Sequence, residues 1–131
     1  MMKPPRGFLP LTPYFTVADV DRLIAFTIAV FDARIIKENR YPDGRVQHVR
    51  LAVQDSLIML NQASDDFPAT VSQMHLYVDD VEATYDRALN AGATSIMQPM
   101  LRPHRDRMAG FIDPENNIWW VASAGEDQAL S

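Results

Sequence analysis

His48 and Arg50 stand two residues apart, His75 and Tyr77 likewise, and Trp119 is followed at once by Trp120. An imidazole takes or gives a proton near neutral pH. A guanidinium pairs with a carboxylate or phosphate, and an indole stacks on a planar ligand. Two histidines with no companion carboxylate make a poor metal site, so each reads first as a hydrogen-bonded imidazole in a polar wall. His104 sits in the stretch Arg102-Pro-His-Arg-Asp-Arg107 and reads as part of a solvated basic loop. The alternative is a loop that attracts an anion. The acidic pairs Asp65-Asp66 and Asp79-Asp80 read as a linker and a helix cap, not as catalytic dyads. The chain holds no cysteine, which excludes disulfides, zinc ribbons, iron–sulfur clusters and thiol catalysis. No Ser/His/Asp order, phosphate loop or dinucleotide fingerprint is present.

A spacing of two places side chains on one face of a strand, so strands must carry these groups. Leu11, Phe15 and Val17 alternate with Thr12, Tyr14 and Thr16, which predicts a half-buried strand that is an edge, or begins, at Pro13. From Asp19 the period changes. Val20, Leu23, Ile24, Thr27, Ile28 and Phe31 mark one helix face, with Asp19 as N-cap and Asp32 as a left-handed stop. Strands are expected at 34–40 and 45–53, joined by the turn Tyr41-Pro-Asp-Gly44, and again from Leu57 to Gln62.

After a polar linker at 63–70 the pattern restarts. Met74-His-Leu-Tyr-Val-Asp-Asp-Val81 resembles Pro13-Tyr-Phe-Thr-Val-Ala-Asp-Val20. A helix over 81–90, capped by Asp80 and stopped at Gly92, follows with Val81, Tyr85, Ala88 and Leu89 on one face. Strands are expected at 94–98, 107–112 and 117–123, and the last residues read as a frayed tail. The two cap aspartates lie 61 residues apart. The chain therefore reads as one module written twice.

Composition agrees with one globular domain. Of 131 residues, 47% are apolar and 22% charged, enough for a core without staples. Seventeen acids against twelve bases give a net charge of −5, which disfavours nucleic acid as a partner. No apolar run reaches the roughly 20 residues of a membrane span. The first residues, Met-Met-Lys-Pro-Pro-Arg-Gly, lack a secretion signal, and a cytoplasmic protein is expected.

The stretches Thr12–Asp19, Phe31-Asp-Ala33, Met74–Val81, Asn90-Ala-Gly-Ala93 and Asp113-Pro-Glu-Asn-Asn-Ile-Trp119, in this order, resemble the vicinal oxygen chelate superfamily of glyoxalase I, bleomycin-resistance proteins and extradiol dioxygenases. The likeness covers about residues 10–123. It implies an α+β fold: two βαβββ modules, about 10–62 and 72–123, forming a concave mixed sheet with helices on the outer face. Asn116 and Asp32 stand where the family has Gly, and both residue types tolerate positive φ. Thr27 stands where the family often has Tyr, which thins the helix packing.

Metal-dependent relatives hold a divalent ion with His and Glu from the first and fourth strand of each module. The resemblance puts Thr12, Met59, Gln73 and Trp120 at those positions. They make no hard divalent site, so no metal and no cofactor is expected. The same likeness turns Tyr14, His48, Arg50, Met59, Gln73, His75, Tyr77 and Trp120 towards the cup, as an apolar-aromatic wall with a few polar groups. Trp120 serves equally as dimer packing, and Arg50 as a rim ion pair; Trp119 reads as core. The implied function is a metal-free homodimer that sequesters a small planar or amphipathic ligand. The alternatives are a lyase, isomerase or dioxygenase using His48 or His75 as base or displaced metal ligand, and an interaction domain whose cup is filled by Trp120 and Met59.

Overall fold

The structure is a computed structural model that describes residues 4–7, 9–103 and 106–124. It divides into two units, Met1–Thr70 and Val71–Ser131. The first unit contains β1 (Tyr14–Val17), α1 (Val20–Phe31), β2 (Arg34–Arg40), β3 (Val46–Val53) and β4 (Ser56–Gln62). The second contains β5 (Gln73–Tyr77), α2 (Val81–Asn90), β6 (Thr94–Leu101), β7 (Arg107–Ile112) and β8 (Ile118–Ser123). Each unit is therefore a βαβββ module. Its sheet is mixed and runs β1-β4-β3-β2 in the first and β5-β8-β7-β6 in the second.

Local chemistry explains the repeat. Asp19 and Asp80 adopt nearly the same extended backbone, φ −134° and −135°, and each carboxylate accepts from the amide three residues on, Arg22 or Ala83. Such a cap satisfies a donor that the helix cannot. At the far end Asp32 takes the left-handed conformation at φ 56°, as its residue type allows. Gly92, at φ 103°, ends α2 one residue past its cap.

The core lies on one face of each sheet. In the first unit Phe15, Leu60, Val49 and Leu51 are fully buried, with Leu23, Phe26 and Val30 of α1. Thr27, fully buried where an aromatic residue is common, satisfies its hydroxyl by donating to the Ile24 carbonyl at 2.9 Å. In the second unit Phe111, Trp119 and Val121 are buried with Val81, Thr84, Tyr85 and Ala88 of α2.

Several expectations move. Leu11 is 84% exposed and outside β1, which starts just after Pro13 because the ring nitrogen has no hydrogen to pair. Ile28 and Leu89, expected on the buried helix faces, are exposed, and Phe26 and Thr84 are buried instead. β6 runs three residues past its expected end, and its pairing with β7 is irregular. Residues 104, 105 and 125–131 lie outside the described part, so the readings of His104 as solvated and of the tail as frayed fall there too. No helix among the described residues is long and apolar enough to cross a membrane.

Candidate functional site

The strand face opposite the core is where polar and aromatic groups gather. In the first unit, pairing aligns Thr16, Asn61, His48 and Asn39 in one row across the sheet. Tyr14, Met59, Arg50 and Lys37 make the next row. Thr16 donates to Asn61 Oδ1 at 2.6 Å. Tyr14 meets His48 edge-on, with ring centroids 5.7 Å apart. Met59 and Arg50 are half-buried, and the Nε and Nη1 atoms of Arg50 are shielded from solvent. Burial, then the positive charges of Arg50 and Lys37, hold the His48 pKa below its ordinary 6.5. The imidazole is therefore neutral at neutral pH.

In the second unit, Gln73, His75 and Tyr77 alternate along β5 on the outward side, and β8 sets Trp120 beside His75. The Trp120 indole donates to Gln73 Oε1 at 2.7 Å. Its six-membered ring lies over Gly110 on β7, its pairing partner. A Cβ at position 110 would fall within 2.6 Å of the ring's Cε3 atom. The glycine thus makes room for the ring, a use of an isolated strand glycine that its position in the sequence could have signalled. His75 and Tyr77 meet edge-on at 5.0 Å, and the Tyr77 hydroxyl donates to the carboxylate of the buried Asp106 at 3.3 Å. Neither Gly110 nor Asp106 was among the residues expected from the sequence. Asp106 gave no signal beyond its basic neighbours.

Asp113-Pro-Glu-Asn-Asn-Ile-Trp119 proves to be scaffolding. Asp113 Oδ1 accepts from the amides of Glu115 and Asn117, and Oδ2 accepts from the Trp119 indole at 2.8 Å. Asn116 sits at φ 71°, the conformation its residue type tolerates. Asn117, fully buried, accepts from the Ser72 amide at 2.9 Å and so ties the turn to the start of β5. Trp119 is 2% exposed, a core residue as expected.

The model of the Glyoxalase/Bleomycin resistance protein/Dioxygenase superfamily matches residues 11–121. The chain belongs to that superfamily. Among its relatives, an uncharacterized protein of Mycobacterium bovis is 32% identical over 123 residues, covering 83% of this chain and 79% of that protein. Among solved structures, the chain is similar to TioX from Micromonospora sp. ML1 at TM-score 0.75 and 20% identity, over 88% of this chain and 98% of that one. It is also similar to TnmS3, an antibiotic binding protein from Streptomyces sp. CB03234, at TM-score 0.64 and 19% identity, over 89% and 98% of the chains. A variant of the fosfomycin resistance protein FosX from Listeria monocytogenes, complexed with Mn(II), matches at TM-score 0.71 and 15% identity over 95% and 96%. At these identities the structural likeness is one of fold.

The donor sets differ from what a superfamily metal needs. Thr12 precedes β1, and Met59 offers a thioether. Gln73 has its carbonyl engaged by Trp120, whose indole can only donate. Among the described residues no group of three or more His, Asp or Glu side chains is placed to hold an ion. What these faces offer instead is a fixed indole, polarisable and aromatic surface, a neutral imidazole and cations.

A cavity of about 410 Å³ in the first unit is lined by Gly7, Leu9, Arg34, Ile36, Ala52 and the β3–β4 turn. It was not foreseen, because the segment before residue 10 has no periodicity to place it.

Proposed function

We propose that this superfamily member is a metal-free binding protein that sequesters a small planar or amphipathic ligand on the open faces of its sheets. It works as a cytoplasmic homodimer. The ligand-binding residues of this reading are Tyr14, His48, Arg50 and Met59 on the open face of the first unit's sheet, and Gln73, His75, Tyr77 and Trp120 on that of the second. The observation that carries this reading is Trp120. Its ring is half-buried, laid over Gly110 and oriented by Gln73, so an aromatic surface is held in place before any ligand arrives. Fixing a surface in advance lowers the entropy cost of binding. The printed description of TnmS3 as an antibiotic binding protein supports the same reading. The absence of cysteine suits a reducing compartment.

Thermal shift against a panel of planar and amphipathic compounds, with EDTA present, tests it. A ligand at about a hundred times its Kd stabilises by roughly 2.7 kcal/mol. The reading predicts hits that persist in EDTA and vanish in Trp120→Ala. Hits that require a divalent ion would contradict it. Sedimentation or light scattering tests the homodimer, and a monomer at all concentrations would remove that part.

One observation favours a catalytic alternative. His48 is held neutral beside a guanidinium, the form a general base needs. A lyase, isomerase or dioxygenase using His48, or His75, would turn ligand over. Product formation that His48→Gln or His75→Gln abolishes, with binding retained, would replace sequestration by that reading.

A further inference from the structure

The cavity of about 410 Å³ in the first unit is lined by none of the residues assigned above to the planar ligand. Strand pairing explains where it lies. Arg34, Ala52 and Leu57 are cross-strand partners on β2, β3 and β4, in the row beyond Arg50 and Met59. Ala52 has only a methyl group, which leaves a hollow between the longer side chains of Arg34 and Leu57. Ile36 lines the same cavity for a different reason. Ile35 pairs with Leu51 and Lys37 with Arg50, so β3 has no residue to oppose Ile36. Such a bulge re-aims a side chain. Leu9, from the segment before β1, adds another apolar wall. Two charges complete the lining, Arg34 and Asp55. Arg34 opens β2 and Asp55 lies in the turn from β3 to β4, so both stand at one end of the sheet. Both are exposed, and neither side chain makes a hydrogen bond or ion pair among the described residues.

We infer that this cavity is a second binding site, for a small aliphatic zwitterion whose carboxylate and ammonium share one head, as in an amino acid. Arg34 receives the carboxylate with its planar pair of donors. Asp55 takes the ammonium. Leu9, Ile36 and Leu57 cover the aliphatic part. A molecule of a single charge gains at one of the two side chains and loses at the other. A zwitterion answers both. The volume suits a small molecule, since such sites span about 300–1,000 Å³. The inference stands apart from the planar-ligand reading, because the two share no residue. Arg34 and Asp55 were no part of the sequence-derived site, because only the pairing of β2 with β3 brings them to one end of the sheet.

The test is an NMR titration of the intact chain, read at the amides of Ala52, Ser56 and Leu57. L-Leucine is compared with three probes that each lack one feature. Leucinamide has no carboxylate, N-acetylleucine no ammonium, and glycine no aliphatic group. Leucine is expected to shift these amides saturably and to bind about tenfold more tightly than any of the three. Arg34→Gln is expected to weaken leucine about tenfold and Asp55→Asn about fivefold. Both positions are exposed, so neither change should move the melting temperature. Amides left unmoved by about 10 mM leucine would overturn the site. So would wild-type affinity in either variant, or a control probe that binds as tightly as leucine. The planar-compound panel with Trp120→Ala judges the other reading separately, so either can fail alone.

Discussion

Gly110 and Trp120 form a pair in which one residue has no side chain so that the other can lie flat. Gly110→Ala forces the ring away or the strand apart, an overpacking cost of about 1–3 kcal/mol. Urea unfolding should show that loss, and the Trp120 emission should shift as its bond to Gln73 breaks. An unchanged spectrum would mean that the ring is not held as described. Asp113 makes a second residue-scale case. Asp113→Ala strands the buried indole of Trp119 and two backbone amides, and unsatisfied buried donors cost about 1–3 kcal/mol each. Chemical denaturation reads this directly. Residue types were legible here to different degrees. Trp119 as core and Asn116 at positive φ could be read from the chain, because one depends on parity and the other on residue type. The bond from Trp119 to Asp113 could not, because it depends on how the turn closes. Asp106 was invisible for the same reason, since its partner Tyr77 is 29 residues away.

At the scale of elements, the helix caps carry the clearest prediction. Asp19→Ala and Asp80→Ala should each cost about 1 kcal/mol in the unfolding free energy. They lie in separate units, so their effects should add within about 0.5 kcal/mol. A cost near zero at both would mean that the bonds from Arg22 and Ala83 contribute nothing. Helix starts and stops were readable because capping is local chemistry. Strands β2 and β3 were readable because a Pro-Asp-Gly turn separates them, and the amide of Gly44 does bond to the Tyr41 carbonyl. Pairing irregularities were not readable. β2 and β6 each shift register against their neighbours, and nothing local in Arg34–Arg40 or Thr94–Leu101 marks where. Those shifts decide that Lys37 stands opposite Arg50. Consequently the strand faces were legible where pairing is regular, between β1 and β4, β3 and β4, and β5 and β8, and not on β2 and β6.

For the whole molecule, charge and pH tie stability to the same groups. The folded pKa of His48 lies below 6.5, so on acidification the unfolded chain takes up its proton first. Stability contributed by the neutral imidazole is complete above 6.5 and is lost as pH falls from there through the folded value. Asp21 and Asp43, held low by Arg40 and Arg45, act only below their ordinary 3.8, outside that window. The urea midpoint should therefore fall between pH 7 and about pH 5.5, and His48→Gln should flatten that slope. A flat wild-type profile would show that burial, Arg50 and Lys37 do not hold the imidazole's pKa down. The duplication was legible from one observation, the recurrence of an aspartate cap and its preceding strand. The use of each open face was less so, because it depends on which side chains each sheet's own pairing sets beside one another.

The most direct test of the proposed metal-free binding is a fluorescence titration of EDTA-treated protein with a hit from the thermal-shift panel. The account predicts saturable quenching of the Trp120 signal at one affinity with or without added Mn(II), absent in Trp120→Phe if the remaining indole, buried Trp119, is silent. Quenching that appears only when the divalent ion is restored, or that is undiminished in Trp120→Phe, would contradict it.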